Sequence, residues 1–178
     1  MRLHRPALTA ALAFLPFLLV AAAPARAADA PSNTTPERRV SFGFESGPPA
    51  SLRLNERGNL VGWAPMTDRS LFVLVPVGAK FQIRTALTGT DGKYACLGVR
   101  DNTGSPDTLV AAQCRPTAQG QLFTFPELGT TDSVGRPQHE IKTAAGRLTF
   151  DYPNGLHLKP GSAGSVSAFT TNYMGPGC

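Results

Sequence analysis

Few side chains in this sequence can do chemistry, and they are scattered. After His4 the only imidazoles are His139 and His157, the thiols are Cys96, Cys114 and Cys178, and twelve Asp and Glu are dispersed along the chain. Hydrolysis needs a nucleophile, a base and an orienting group within mutual reach. Neither histidine belongs to an H-E-x-x-H pattern, and no G-x-S-x-G elbow occurs. No spacing among the acids singles out a glycosidase pair. The 17 residues between Cys96 and Cys114 fit no zinc pattern, and Gly161–Gly164 does not open a helix as a phosphate loop must. The expectation is a protein that is not an enzyme, with no metal and no cofactor.

The cysteines are better read through the compartment. Met1–Arg5 carries Arg2 and Arg5, an apolar stretch runs from Ala7 to Ala23, and Ala25-Arg26-Ala27 has the small-x-small form of a signal-peptidase site. Residues 1–27 therefore read as a signal peptide rather than an anchor, since Pro16 interrupts a short apolar run. No later segment is apolar enough to span a membrane, so the expected location is secreted and extracellular. In an oxidising compartment a disulfide is expected. Joining Cys96 to Cys114 would stabilise by roughly 3 kcal/mol through loop closure. Cys178 is left over, either as a free terminal thiol or as an intermolecular partner. Losing Arg2, Arg5 and Arg26 with the signal lowers the formal charge of +5 by three, and Arg38-Arg39 is the only adjacent basic pair. A nucleic-acid partner, which needs a clustered basic face, is excluded.

The elements follow from punctuation and repetition. The 18 Gly and 16 Pro interrupt every prospective helix and favour short strands with turns. Residues 28–39, rich in Pro, Ser and Thr, read as a flexible lead-in. Beyond them three segments share one skeleton: Ser51–Leu74, Ala95–Phe125 and Arg147–Thr171. Each opens on a Leu (Leu52, Leu97, Leu148), has a second Leu after a turn (Leu60, Leu109, Leu156) and closes on a Phe (Phe72, Phe123, Phe169). An alternating strand precedes each, at VSFGF from Val40, FQIRT from Phe81 and EIKT from Glu140. Four short strands repeated three times, each unit too small to bury its own apolar face, require a shared core. That pattern predicts an all-β fold, a β-trefoil over residues 40–178, with turns at Asn55–Asn59, Asn102–Asp107 and Pro153–Gly155.

The second repeat also resembles a known family. Cys96-Leu97-Gly98-Val99, then Cys114, then Gln121-Leu122-Phe123 is similar to the ricin-type lectin repeat, with its Cys-Leu-Asp-Val opening, second Cys and closing Gln-x-Trp. The resemblance covers about thirty residues and implies a ricin-type β-trefoil that binds sugars. It also implies that repeat 2 has lost its own sugar site. The family's galactose-fixing Asp, stacking aromatic and Asn fall here on Gly98, Ala112 and Gly120, which offer no carboxylate, ring or amide.

Repeat 1 retains more. The position matching the stacking aromatic is Trp63, the only Trp, whose indole offers a flat face to the C–H side of a pyranose. Arg53, Asn55 and Asn59 are the candidate polar contacts beside it. The competing reading packs Trp63 under the hairpin cap as core. In repeat 3, His157 and Lys159 stand at corresponding positions with Tyr152 and Asn154 in the preceding turn, as solvated turn residues or ligands. The expected function is a lectin-like carbohydrate-binding module with degenerate sites and a glycan or glycoprotein partner. The alternative is a protein-binding trefoil, either a protease inhibitor using Ser46–Ala50 or Gly104–Asp107 as a stiff loop or a non-catalytic subunit of a secreted toxin or enzyme complex.

Overall fold

The computed structural model describes residues 38–45, 49–151, 155–161 and 167–174, all within one unit spanning Thr34–Cys178. The expected signal peptide, nearly all of the lead-in, Tyr152, Asn154 and Cys178 lie outside the described residues. The described chain is all-β: its only helical pieces are the 3-10 turns Asp68–Ser70 and Gln119–Gln121. No described helix is long and apolar enough to cross a membrane.

Antiparallel pairing runs through the repeats and returns to where it starts. Strand β1 (Arg39–Glu45) pairs with β4 (Phe72–Val77), and β4 with β5 (Lys80–Thr88). Phe81 of β5 and Phe123 exchange backbone hydrogen bonds at 2.9 and 2.8 Å, and Thr124 and Lys142 do the same at 2.9 and 3.0 Å. Three and four residues before Lys142, His139 and Gln138 of β9 (Pro137–His139) pair with β13 (Phe169–Met174), which lies along β1 from Arg39↔Met174 to Phe44↔Phe169.

Three two-stranded units stand off this ring. They are β2 (Pro49–Leu54) with β3 (Leu60–Ala64), β6 (Tyr94–Arg100) with β7 (Thr108–Gln113), and β11 (Gly146–Asp151) with β12 (Gly155–Lys159). The short β10 (Lys142–Thr143) extends the third. Their second strands meet one another: the Gly58 carbonyl accepts the Ala111 N–H and the Asp107 carbonyl accepts the Leu158 N–H, both at 2.7 Å. Gly62 of β3 shows how tight the junction is, because a Cβ there would lie 2.6 Å from the Phe44 ring and 3.4 Å from Leu156.

The nine Leu and Phe anchors of the repeat skeleton are all buried, none more than 8 % exposed. Burying a side chain of this size contributes about 1.5–3 kcal/mol, so these positions dominate the core. Aromatic contacts carry the core across repeats. Phe42 lies 5.8 Å from both Phe72 and Phe125, and Phe44 lies 5.9 Å from Phe169 and 5.0 Å from Phe150. Cys96 and Cys114 form a disulfide at one end of the β6–β7 pair.

The regular pattern breaks in one place. The third alternating strand is split at Glu140-Ile141, where the Glu140 N–H turns to the Pro126 carbonyl and its carboxylate meets Lys142 at 3.2 Å and Arg147 at 3.6 Å. Strand β8 (Glu127–Thr131) pairs with β9 and carries on the pairing of Thr124 with Lys142, so that Glu127↔His139 holds the place that Pro76↔Phe81 holds between β4 and β5.

Candidate functional site

The β2–β3 turn is shaped by one side chain. Asn55 Oδ1 accepts the backbone N–H groups of Arg57 and Asn59, both at 3.0 Å, while its carbonyl accepts the Gly58 N–H. Gly58 sits at φ 74°, a left-handed conformation that favours glycine. Asn55 thus spends its acceptor on the turn, and its Nδ2 is the polar group it can still offer.

Opposite this turn, the Asp68–Ser70 turn is closed by a reciprocal pair of bonds. The Thr67 N–H donates to Ser70 Oγ at 3.2 Å and the Ser70 N–H donates to the Thr67 carbonyl at 2.8 Å. Between the two turns lies a groove lined by Arg53, Asn55, Glu56, Asp68, Arg69 and Leu87. This lobe holds about 570 Å³, within the roughly 300–1,000 Å³ of small-ligand pockets. It continues over Leu71 and Thr85 toward Ala95 and Ala111 of the second repeat. Apolar Leu54, Leu71 and Leu87 thus alternate with charged groups along it.

The four sequence-derived site residues are divided by this arrangement. Arg53 and Asn55 line the groove together. Asn59 is turned to another task, since its Oδ1 accepts a hydrogen bond from Arg100 Nη1 at 3.1 Å and ties repeat 1 to repeat 2. Trp63 is in β3, two residues from Val61, the register partner of Arg53; its side chain lies outside the described residues. Arg53 is half-buried, and its Nε is sealed from solvent without a hydrogen-bond partner among the described residues.

Sequence reasoning did not find Glu56, Asp68, Arg69 or Leu87. For Arg69 a signal existed, because it immediately precedes the closing Ser70-Leu71-Phe72, as Gly120 precedes Gln121-Leu122-Phe123.

The third repeat offers a different cleft, lined by Ser105, Asp107, His157 and Lys159. His157 Nε2 lies 3.4 Å from Asp151 Oδ2 and Nδ1 lies 3.2 Å from the Gly155 carbonyl. Both ring nitrogens lie near oxygen atoms of β11 and β12, so the ring braces the β11–β12 pair. No group of His, Cys, Asp or Glu suited to a metal ion occurs among the described residues.

Neither a protein-family model nor a curated protein matches the chain.

Proposed function

We propose that the chain is a secreted, non-enzymatic carbohydrate-binding module, a ricin-type β-trefoil whose surviving sugar site is the groove of repeat 1. Matched relations among the repeats support the threefold reading. The nine anchors are equivalently buried. Gly58 and Asp107 each stand two residues before the second Leu of a repeat, and Ala111 and Leu158 each stand two residues after it. Their two inter-repeat hydrogen bonds are therefore the same bond in successive repeats. Two residues before each closing Phe, the side-chain oxygens of Ser70, Gln121 and Ser167 each accept a backbone N–H, from Thr67, Arg115 and Phe150.

The observation that carries the sugar-binding reading is the groove itself. It combines apolar Leu54 and Leu87 with the donors of Arg53, Asn55 and Arg69 and the acceptors of Glu56 and Asp68. Sugars need that mixture, since their C–H faces seek apolar contact while their hydroxyls seek paired donors and acceptors. The test is a glycan array on the purified protein, run beside a panel of secreted proteases. Binding to a defined set of glycans supports the proposal; stoichiometric protease inhibition without glycan binding replaces it.

One feature favours that second reading, a protein-binding trefoil. The exposed 102–107 turn is stiffened from within, where Asn102 Nδ2 donates to the Pro106 carbonyl at 3.0 Å and to Thr108 Oγ1 at 3.1 Å. A loop already held in shape loses little entropy on docking.

A further inference from the structure

We propose that the repeat-1 groove selects acidic glycans, those presenting a carboxylate or a sulfate, through Arg53 and Arg69. The inference rests on the carbohydrate-binding reading and adds the chemical class of the sugar.

The reason is the hydrogen-bonding polarity of the groove's inner wall. A guanidinium carries five donors and no acceptor, so a ligand atom meeting Arg53 must be an acceptor. Among the described residues neither Arg53 nor Arg69 forms an ion pair, although Glu56 and Asp68 line the same groove. Those two acids are exposed and keep their hydration, as does Arg69. Arg53 is different: it lines the groove while half-buried, and its Nε, closed to water and to a ligand alike, has no acceptor among the described residues to offset its charge. A cation partly stripped of water gains most from an anionic oxygen. Carboxylate and sulfate oxygens meet a guanidinium fork two at a time, which a single sugar hydroxyl cannot do. Arg53 therefore gives the inner wall its preference, and Arg69 at the mouth adds a second positive charge.

The experiment compares lactose, sialyllactose and sulfated lactose by titration calorimetry, after an array of neutral and acidic glycans. The intact protein is expected to prefer the acidic compounds over lactose by roughly tenfold or more, with binding weakened by added salt. The ratio of the two acidic arms tells carboxylate from sulfate. Arg53→Gln should collapse the preference toward unity, and the exposed Arg69→Gln, which disturbs no packing, should reduce it in part. Arg53→Lys keeps the charge without the fork and should fall between wild type and Arg53→Gln. Equal binding of neutral and acidic glycans, unchanged in Arg53→Gln, overturns the acidic preference while leaving sugar binding intact. A folded protein that binds no glycan of either kind overturns both.

Discussion

The Gly58 carbonyl accepts the Ala111 N–H at 2.7 Å, joining the turn of one strand pair to the second strand of the next. Asp107 and Leu158 repeat the relation one unit later at the same length. Both bonds pair a backbone donor and acceptor where different repeats meet, so each couples its two units. On the proposed threefold arrangement, Gly62 holds the place of Ala111 and Leu158. Its amide should exchange with solvent as slowly as theirs in a native-state hydrogen-exchange experiment. Fast exchange at Gly62 beside slow exchange at the other two would break the symmetry.

Gly62 also tests the packing directly. A methyl at this position would fall 2.6 Å from Phe44 Cζ, and the Phe44 ring is itself held by Phe150 and Phe169. Overpacking of this kind costs about 1–3 kcal/mol. Gly62→Ala should therefore lower the urea midpoint without changing the slope of unfolding. Gly78→Ala is the wrong control, because its φ of 60° strains any side chain. Gly120→Ala is better, since its added methyl meets Val99 at an ordinary 3.4 Å and its φ is not positive.

Much of the fold was legible because the repeat anchors are Leu and Phe, whose burial is driven by area and is indifferent to detail. The Cys96–Cys114 pair was legible for a similar reason: the cysteine count and the expected compartment favour a bond, and adjacent strands bring the residues together. The β8–β9 hairpin was not legible. Glu127–Thr131 is mostly exposed and lacks alternating apolar residues, so its strand is held by pairing to β9 rather than by burial. The candidate site was legible in part, since Arg53 and Asn55 follow from the repeat frame. Asp68 and Arg69 needed the 3-10 turn that carries them toward the β2–β3 turn, and no local pattern announces so short an element.

The disulfide encloses a loop containing most of β6 and all of β7. Its removal should cost about 3 kcal/mol, mostly through the entropy restored to the unfolded chain. Reducing the protein, or replacing both partners as Cys96→Ala with Cys114→Ser, should lower the melting temperature measurably. Since Cys96 is buried and Cys114 only partly so, labelling after reduction should be faster at Cys114.

The β8–β9 hairpin carries a pH dependence of known sign. Burial alone would raise the Asp132 carboxyl, but the Arg136 N–H, the Arg136 guanidinium and the Val134 N–H outweigh it and hold it below its ordinary 3.8. A carboxyl depressed on folding stabilises the protein fully above its unfolded value and loses that contribution as pH falls through the folded one. Asp132→Asn should thus be less stable than wild type at neutral pH, with the gap narrowing below 3.8. Chemical denaturation at a series of pH values measures it. A gap that stays constant into strong acid would mean that the charge contributes nothing.

Trp63 separates binding from folding. If its indole is the platform for a sugar ring, losing it removes one stacking contact, worth roughly 1 kcal/mol or more, and weakens glycan binding several-fold. The core should survive, because Phe72, Phe123 and Phe169 are buried among other partners in the ring of paired strands. Phe123→Ala should behave in the opposite way, since emptying a fully buried aromatic site costs about 3–5 kcal/mol and lowers stability before any question of ligand arises. Trp63→Ala and Phe123→Ala are therefore compared by calorimetric titration and by thermal melting on the same preparations. The expected pattern is a lost affinity with a nearly retained melting temperature for the first, and a large fall in melting temperature for the second. A Trp63→Ala protein that melts as early as Phe123→Ala would assign the indole to the core and remove it from the sugar site.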